Sequence, residues 1–122
     1  MPTPFHQTVK SFSNASKGIF LAFRTERSFR VQLFVGLVVV AVSFIFPVTR
    51  VEQFLLFLCV GGVLVLELLN SSVERLVDLF KPRLHEYARD VKDLMAGAVL
   101  LASICSALIG VAILGPYLKD LF

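Results

Sequence analysis

An uncharged run from Phe54 to Leu66, FLLFLCVGGVLVL, passes into ELLNSSVERLVD with no proline or turn signal between them. The continuation carries Glu67, Asn70, Glu74 and Asp78 at steps of three, four and four. At about 100° per residue these positions share a helix stripe roughly 80° wide. One helix therefore starts in hydrocarbon and ends in carboxylates. Like charges along one face repel by a few tenths of a kcal/mol per pair, and by more near a membrane, where ionisable groups are costly. A helix end emerging into water accounts for Glu74 and Asp78 but poorly for Glu67, which follows the apolar run directly. The seam calls for a cation.

The rest of the chain agrees with a membrane setting. Of its 122 residues 57% are hydrophobic and 17% charged, against roughly half and a quarter in soluble domains, and the mean hydropathy is +0.81. The length leaves no room for a separate soluble domain beside membrane spans, so a working site must be built from the helices and their connections. A net charge of +3 comes from basic residues interleaved with apolar ones, without a nucleic-acid reading motif; a negatively charged membrane surface suits them better. Cys59 and Cys105 lie inside apolar runs with no metal-ligand spacing and read as small core residues. No signal peptide is expected, because the first long apolar run follows a charged lead and lacks a small-residue cleavage site.

The pattern predicts an all-α membrane protein forming a single domain over residues 1–122. Over 4–30, Phe5, Val9, Phe12, Ile19, Phe20 and Phe23 recur near helical spacing with Lys10, Lys17 and Arg24 between them, the pattern of an amphipathic helix lying in the membrane interface. Next comes TERSFR, whose Glu26 is the only acid among the first fifty residues and stands among Arg24, Arg27 and Arg30. It either pairs with an arginine or joins the seam around a metal. Residues 31–48 form a first span, 54–80 a second that carries the seam beyond the hydrocarbon, and 94–114 a third, ended by Gly115-Pro116. Small residues on the third, among them Ala96, Gly97, Ser103, Ala107 and Gly110, suit close helix packing in lipid. One protomer has too little surface to enclose the seam, which predicts a homo-oligomer.

Lysines and arginines set the orientation. Lys10, Lys17, Arg24, Arg27, Arg30, Arg75, Lys81, Arg83, Arg89 and Lys92 fall on one side and only Arg50 and Lys119 on the other, which places the N-terminus and the loop from about Arg75 to Asp93 in the cytoplasm. Glu26, the seam and the Lys92-Asp93 pair then share one membrane boundary. Carboxylates with an amide and a lysine suit a hard cation such as Mg²⁺, which retains phosphate oxygens as partners. Phosphoryl transfer uses that inventory: a metal on the phosphates, a cation against developing charge and a carboxylate to take a hydroxyl proton. No GxxxxGK loop or protein-kinase signature occurs. From spacing alone the site is a metal site at a membrane boundary.

Taken together, Lys17-Gly18, TERSFR, ELLNSSVE, VD, His85 and VKDLMAGAVLL resemble the prokaryotic diacylglycerol kinase and undecaprenol kinase family of small integral-membrane lipid kinases, over nearly the whole chain. The resemblance implies a homotrimer of three-span subunits in a bacterial cell membrane, each with an N-terminal surface helix, transferring the γ-phosphate of MgATP directly to a lipid hydroxyl. It implies Glu67 as the general base and Glu26 and Glu74 as metal-binding acids. Asn70, Lys92 and Asp93 correspond to positions that hold the nucleotide phosphates, and Asp78 and His85 to further contacts near the nucleotide. His85 can equally be a plain loop residue. Gln7 and Asn14 depart from the basic residue and the aromatic often found at those positions, so the resemblance leaves open whether the surface helix contacts nucleotide. TERSFR and KDLMAGAVLL are more similar to the undecaprenol branch, with diacylglycerol as the alternative acceptor. From a different class, an oligomeric cation conduit would need polar positions through the whole membrane depth, and 54–66 and 94–114 offer almost none.

Overall fold

The computed structural model describes residues 3–80 and 85–122 and, apart from the side chain of His85, places them in four helices: α1 (Pro4–Thr25), α2 (Arg27–Ile45), α3 (Arg50–Leu79) and α4 (His85–Lys119). The last three are each long and apolar enough to cross a membrane. A lone helix is the natural form for such segments, because it satisfies its own backbone groups where no water is present.

Local chemistry sets each boundary. Thr3 caps α1, its Oγ1 accepting from the backbone N–H of His6 at 3.1 Å, and Pro4 fills the first turn, where no N–H is required. The helix expected over 4–30 instead breaks at Glu26, whose extended backbone (φ −111°, ψ 111°) is at once the C-cap of α1 and the N-cap of α2. Arg30 Nη1 donates to the carbonyls of Phe23 and Arg24 at 2.9 and 3.1 Å, setting positive charge against the negative end of α1. α2 stops at Ile45 because Phe46 precedes Pro47, whose ring excludes the helical conformation from its neighbour. Thr49 and Glu52 then form a reciprocal capping box that starts α3.

α4 departs from expectation at both ends. It begins at His85, so Lys92 and Asp93 lie on a helix rather than in a loop. The stretch after Pro82 holds no further proline or glycine before Gly97, and Glu86 in the first turn suits the positive helix end. At the other end the helix runs through Pro116 to Lys119. Proline there removes one backbone bond near a terminus, and the chain regains the pattern at once with Asp120 N–H to the Pro116 carbonyl at 3.2 Å.

α3 packs on both α2 and α4, while α1 leans on α2 and α3. Leu56, Ile113 and Leu114 form the buried core, with Val39, Val42 and Val48 against it. α2 and α3 approach closely at Gly36, where an added Cβ would stand 2.6 Å from Cγ1 of Val60. Most other large apolar side chains, from Phe34 on α2 to Ile104 on α4, remain exposed, as surfaces that face lipid or other chains do.

Candidate functional site

Glu67 is the deepest acid of the seam, 6% exposed, and its Oε2 accepts a hydrogen bond from Ser28 Oγ at 3.1 Å. One turn further along α3, Ser71 is also buried and donates from Oγ to Oε1 of Glu26 at 2.9 Å. The two bonds run in opposite directions. The first turn of α2 lends a hydroxyl to the acid on α3, and α3 lends a hydroxyl to the acid at the α1–α2 joint. Because Glu67 and Ser71 are four apart they sit one above the other on the helix. The break at Glu26 that interrupts the first helix is what aims its carboxylate at them.

Around this pair stand weaker contacts. Arg75 Nη2 lies 3.5 Å from Glu26 Oε1 and donates to Thr25 Oγ1 at 2.9 Å. Both partners are partly solvated, which limits such an ion pair to a fraction of a kcal/mol. Asn70 Nδ2 donates to Glu74 Oε1 at 3.3 Å. Lys92 Nζ meets Asp78 Oδ1 at 2.6 Å and so ties α4 to the seam. Asp93, the next residue, is exposed. Consecutive helical positions point about 100° apart, so Lys92 and Asp93 cannot both face α3. The structure therefore brings Glu26, Glu67, Asn70, Glu74, Asp78 and Lys92 to one end of the bundle and leaves Asp93 on another face of α4. The side chain of His85 lies outside the described residues.

One atom lacks what its surroundings should supply. Asn70 Oδ1 is buried and, among the described residues, accepts no hydrogen bond. An acceptor left this way costs about 1–3 kcal/mol, so it is suited to a donor or cation brought from outside. No group of three or more His, Cys, Asp or Glu side chains that could cage a metal occurs among the described residues. Mg²⁺ does not need one, since it is held by one or two carboxylates together with phosphate oxygens and water. Glu26, Glu74 and the unpaired amide oxygen, all hard oxygen donors, fit that mode.

Two hollows adjoin the site. A groove of about 450 Å³ runs between α2, α3 and α4, lined by Gln32, Gly36, Leu56, Val60, Val63 and Ser103 among others. Gln32 Nε2 and Ser103 Oγ, at 3.4 Å, are a polar pair in otherwise apolar walls. Val63 is one turn before Glu67 and Gln32 one turn after Ser28, so the groove ends beneath the Ser28–Glu67 bond. A second hollow of about 400 Å³ separates α1 from α3, with Gly18, Ala22, Leu68, Ser71 and Arg75 in its wall. Sequence reasoning singled out the acids with Asn70, His85 and Lys92 and passed over Ser28, Ser71, Arg75 and Gln32 as site residues. Ser71 was within reach, four residues after Glu67 on the same face; Ser28 needed knowledge of how α2 meets α3.

Residues 13–114 match the family model described as prokaryotic diacylglycerol kinase. The chain belongs to that family. It is 38% identical over 109 residues to the undecaprenol kinase of Bacillus subtilis, covering 89% of each chain. It is also 38% identical over 112 residues to a diacylglycerol kinase of Synechocystis, covering 91% of this chain and 64% of that one. The Escherichia coli K12 diacylglycerol kinase is 30% identical over 106 residues, 87% of each chain. Family membership makes the protein a kinase of lipid metabolism, as the resemblance in TERSFR, ELLNSSVE and VKDLMAGAVLL implied.

Proposed function

We propose that this lipid kinase transfers the γ-phosphate of MgATP directly to the hydroxyl of undecaprenol, with Glu67 as general base. The observation that carries the reading is the place of Glu67: a buried carboxylate one helical turn beyond the Val63 end of an apolar groove, with one oxygen held by Ser28. An isoprenoid or acyl chain lying in the groove would bring its terminal hydroxyl to that carboxylate. The carboxylate takes the hydroxyl proton as the lipid oxygen bonds to the γ-phosphorus, the bond from that phosphorus to the bridging oxygen breaks, and ADP leaves. Glu26 and Glu74, with Asn70 between the acids, would hold Mg²⁺, which neutralises charge on the phosphate oxygens when bound. Lys92 would face the phosphates from α4 while Asp78 orients it, and His85 would contact nucleotide from the start of α4; Asp93, on another face of that helix, is left out of this arrangement.

The lysine and arginine distribution supports a cytoplasmic N-terminus and site, where ATP is present. The exposed Phe5, Phe12 and Phe20 of α1, beside Lys10 and Lys17, support a helix lying on the membrane surface. The resemblance in TERSFR, ELLNSSVE and VKDLMAGAVLL supports a homotrimer of this single domain, whose exposed apolar faces would meet lipid and neighbouring chains. Diacylglycerol is the second reading of the acceptor, because relatives of equal identity carry either name; TERSFR and KDLMAGAVLL favour undecaprenol. The deciding experiment offers both lipids side by side to detergent-purified protein with MgATP labelled at the γ-phosphate. Label chiefly in undecaprenol is expected. Preference for diacylglycerol overturns the acceptor and keeps the mechanism, and label in neither lipid overturns the reading.

A further inference from the structure

Glu67 has two oxygens in unequal situations. Oε2 is fixed by the Ser28 hydroxyl, while among the described residues no hydrogen bond reaches Oε1. The donor comes from a different helix, 39 residues away in sequence, and from the first turn after the break at Glu26, so its position is set by the α1–α2 joint. Ser28 itself is exposed in the protomer, one helical turn before Gln32, as Glu67 is one turn after Val63, and Gln32 and Val63 line the near end of the groove. A glutamate side chain has three rotatable bonds, and a base must stand within about 2.6–3.2 Å of the proton that it takes. Packing of the aliphatic stem alone leaves the carboxylate free to turn about its last bond. A hydroxyl on one oxygen removes that freedom.

We propose that Ser28 is a positioning residue: its hydroxyl holds Oε2 of Glu67 so that Oε1 presents its lone pair to the incoming lipid hydroxyl. The inference rests on Glu67 being the general base. Ser28 neither gives nor takes a proton in the transfer; the proton passes from lipid to Glu67 alone. The same joint carries a mirror arrangement in which Ser71 holds Glu26, so one break in the chain sets the direction of two acids. The effect of losing Ser28 belongs to the chemical step, since the hydroxyl does not bind either substrate in the ground state.

The test compares Ser28→Ala, Ser28→Thr and Glu67→Gln with the parent, each purified in detergent and shown by gel filtration and thermal melting to keep its assembly. Ser28→Ala is expected to lower kcat by about 10-fold with KM for MgATP and for lipid within about twofold. Ser28→Thr keeps the hydroxyl at an exposed position and is expected to restore most of the rate. Glu67→Gln is expected to be inactive. If Glu67→Gln is inactive but Ser28→Ala turns over like the parent, the positioning role is overturned while the base stands. The positioning role also falls if Ser28→Ala acts mainly on KM, or if Ser28→Thr is as impaired as Ser28→Ala. Full activity in Glu67→Gln overturns the base and the inference with it.

Discussion

The two ends of α3 both carry glutamates, and they are treated in opposite ways. At the first turn Glu52 stands at the positive helix end and closes the capping box, its Oε1 accepting from the Thr49 backbone at 2.9 Å and from the Tyr117 hydroxyl at 2.8 Å. That acid is where helix electrostatics favour it. It joins the start of α3 to the end of α4, and among the described residues no orphaned polar atom remains beside it. At the other end Glu74 and Asp78 lie in the final turns, where the helix dipole disfavours anions and α3 supplies no basic residue of its own in the last turn. There an amide oxygen is buried without a partner among the described residues, and Glu26 shares its oxygen between Ser71 and a distant Arg75. Glu52 is held by its own helix start and by Tyr117, whereas the acids at the other end are held by side chains of the seam and of other helices, Asp78 by Lys92, Glu26 by Ser71 and Arg75, and Glu74 by Asn70. The contrast separates an end closed by its own cap from the end where the proposed chemistry is placed.

Substitutions can break or sharpen this contrast. Glu67→Gln should have the largest effect, a loss of turnover on the order of 10²- to 10⁴-fold, the range of general-base catalysis, with unchanged thermal stability. Glu74→Gln and Glu26→Gln should come next, each raising the Mg²⁺ concentration needed for half-maximal rate by about 10-fold or more, a shift to be followed by Mn²⁺ binding as well as by activity. Asn70→Leu should pull the two readouts apart. Removing the buried orphan acceptor raises the melting temperature or leaves it unchanged, because about 1–3 kcal/mol of desolvation penalty goes with it, while turnover falls. Away from the seam the effects are expected on stability. Gly36→Ala drives a methyl into Val60 and should cost about 1–3 kcal/mol, read as a lower melting temperature in detergent. Smallest is Tyr117→Phe, which removes one hydrogen bond to Glu52 and should cost about 0.5–1.5 kcal/mol with rate per folded protein unchanged.

Much of this was legible in the sequence. The three long apolar helices follow from runs between charged residues, and the seam from a spacing of three and four on the second of them. Helix periodicity is a local signal, so it also places Glu67, Asn70, Glu74 and Asp78 on one face without reference to the rest of the fold. The break at Glu26 was not legible, because TERSFR contains no glycine or proline and the extended cap is imposed by the turn of α1 onto α2. Nor was the helical path of Lys92 and Asp93, where a dense set of charges reads as a loop yet forms the exposed first turns of α4. The serine–carboxylate bonds depend on contacts 39 and 45 residues apart in sequence, a separation that no local pattern reports. Glu52 and Tyr117 likewise sit 65 apart, and only the capping box half of their arrangement, Thr49 with Glu52, is written in adjacent residues.

The most direct measurement sets Glu67→Gln beside Glu52→Gln, comparing γ-phosphate transfer per mole of assembled protein with thermal stability in the same preparations. The account predicts that Glu67→Gln loses transfer and keeps its melting temperature, whereas Glu52→Gln keeps transfer and melts lower. Transfer that survives in Glu67→Gln, or is lost in a fully stable Glu52→Gln, would contradict it.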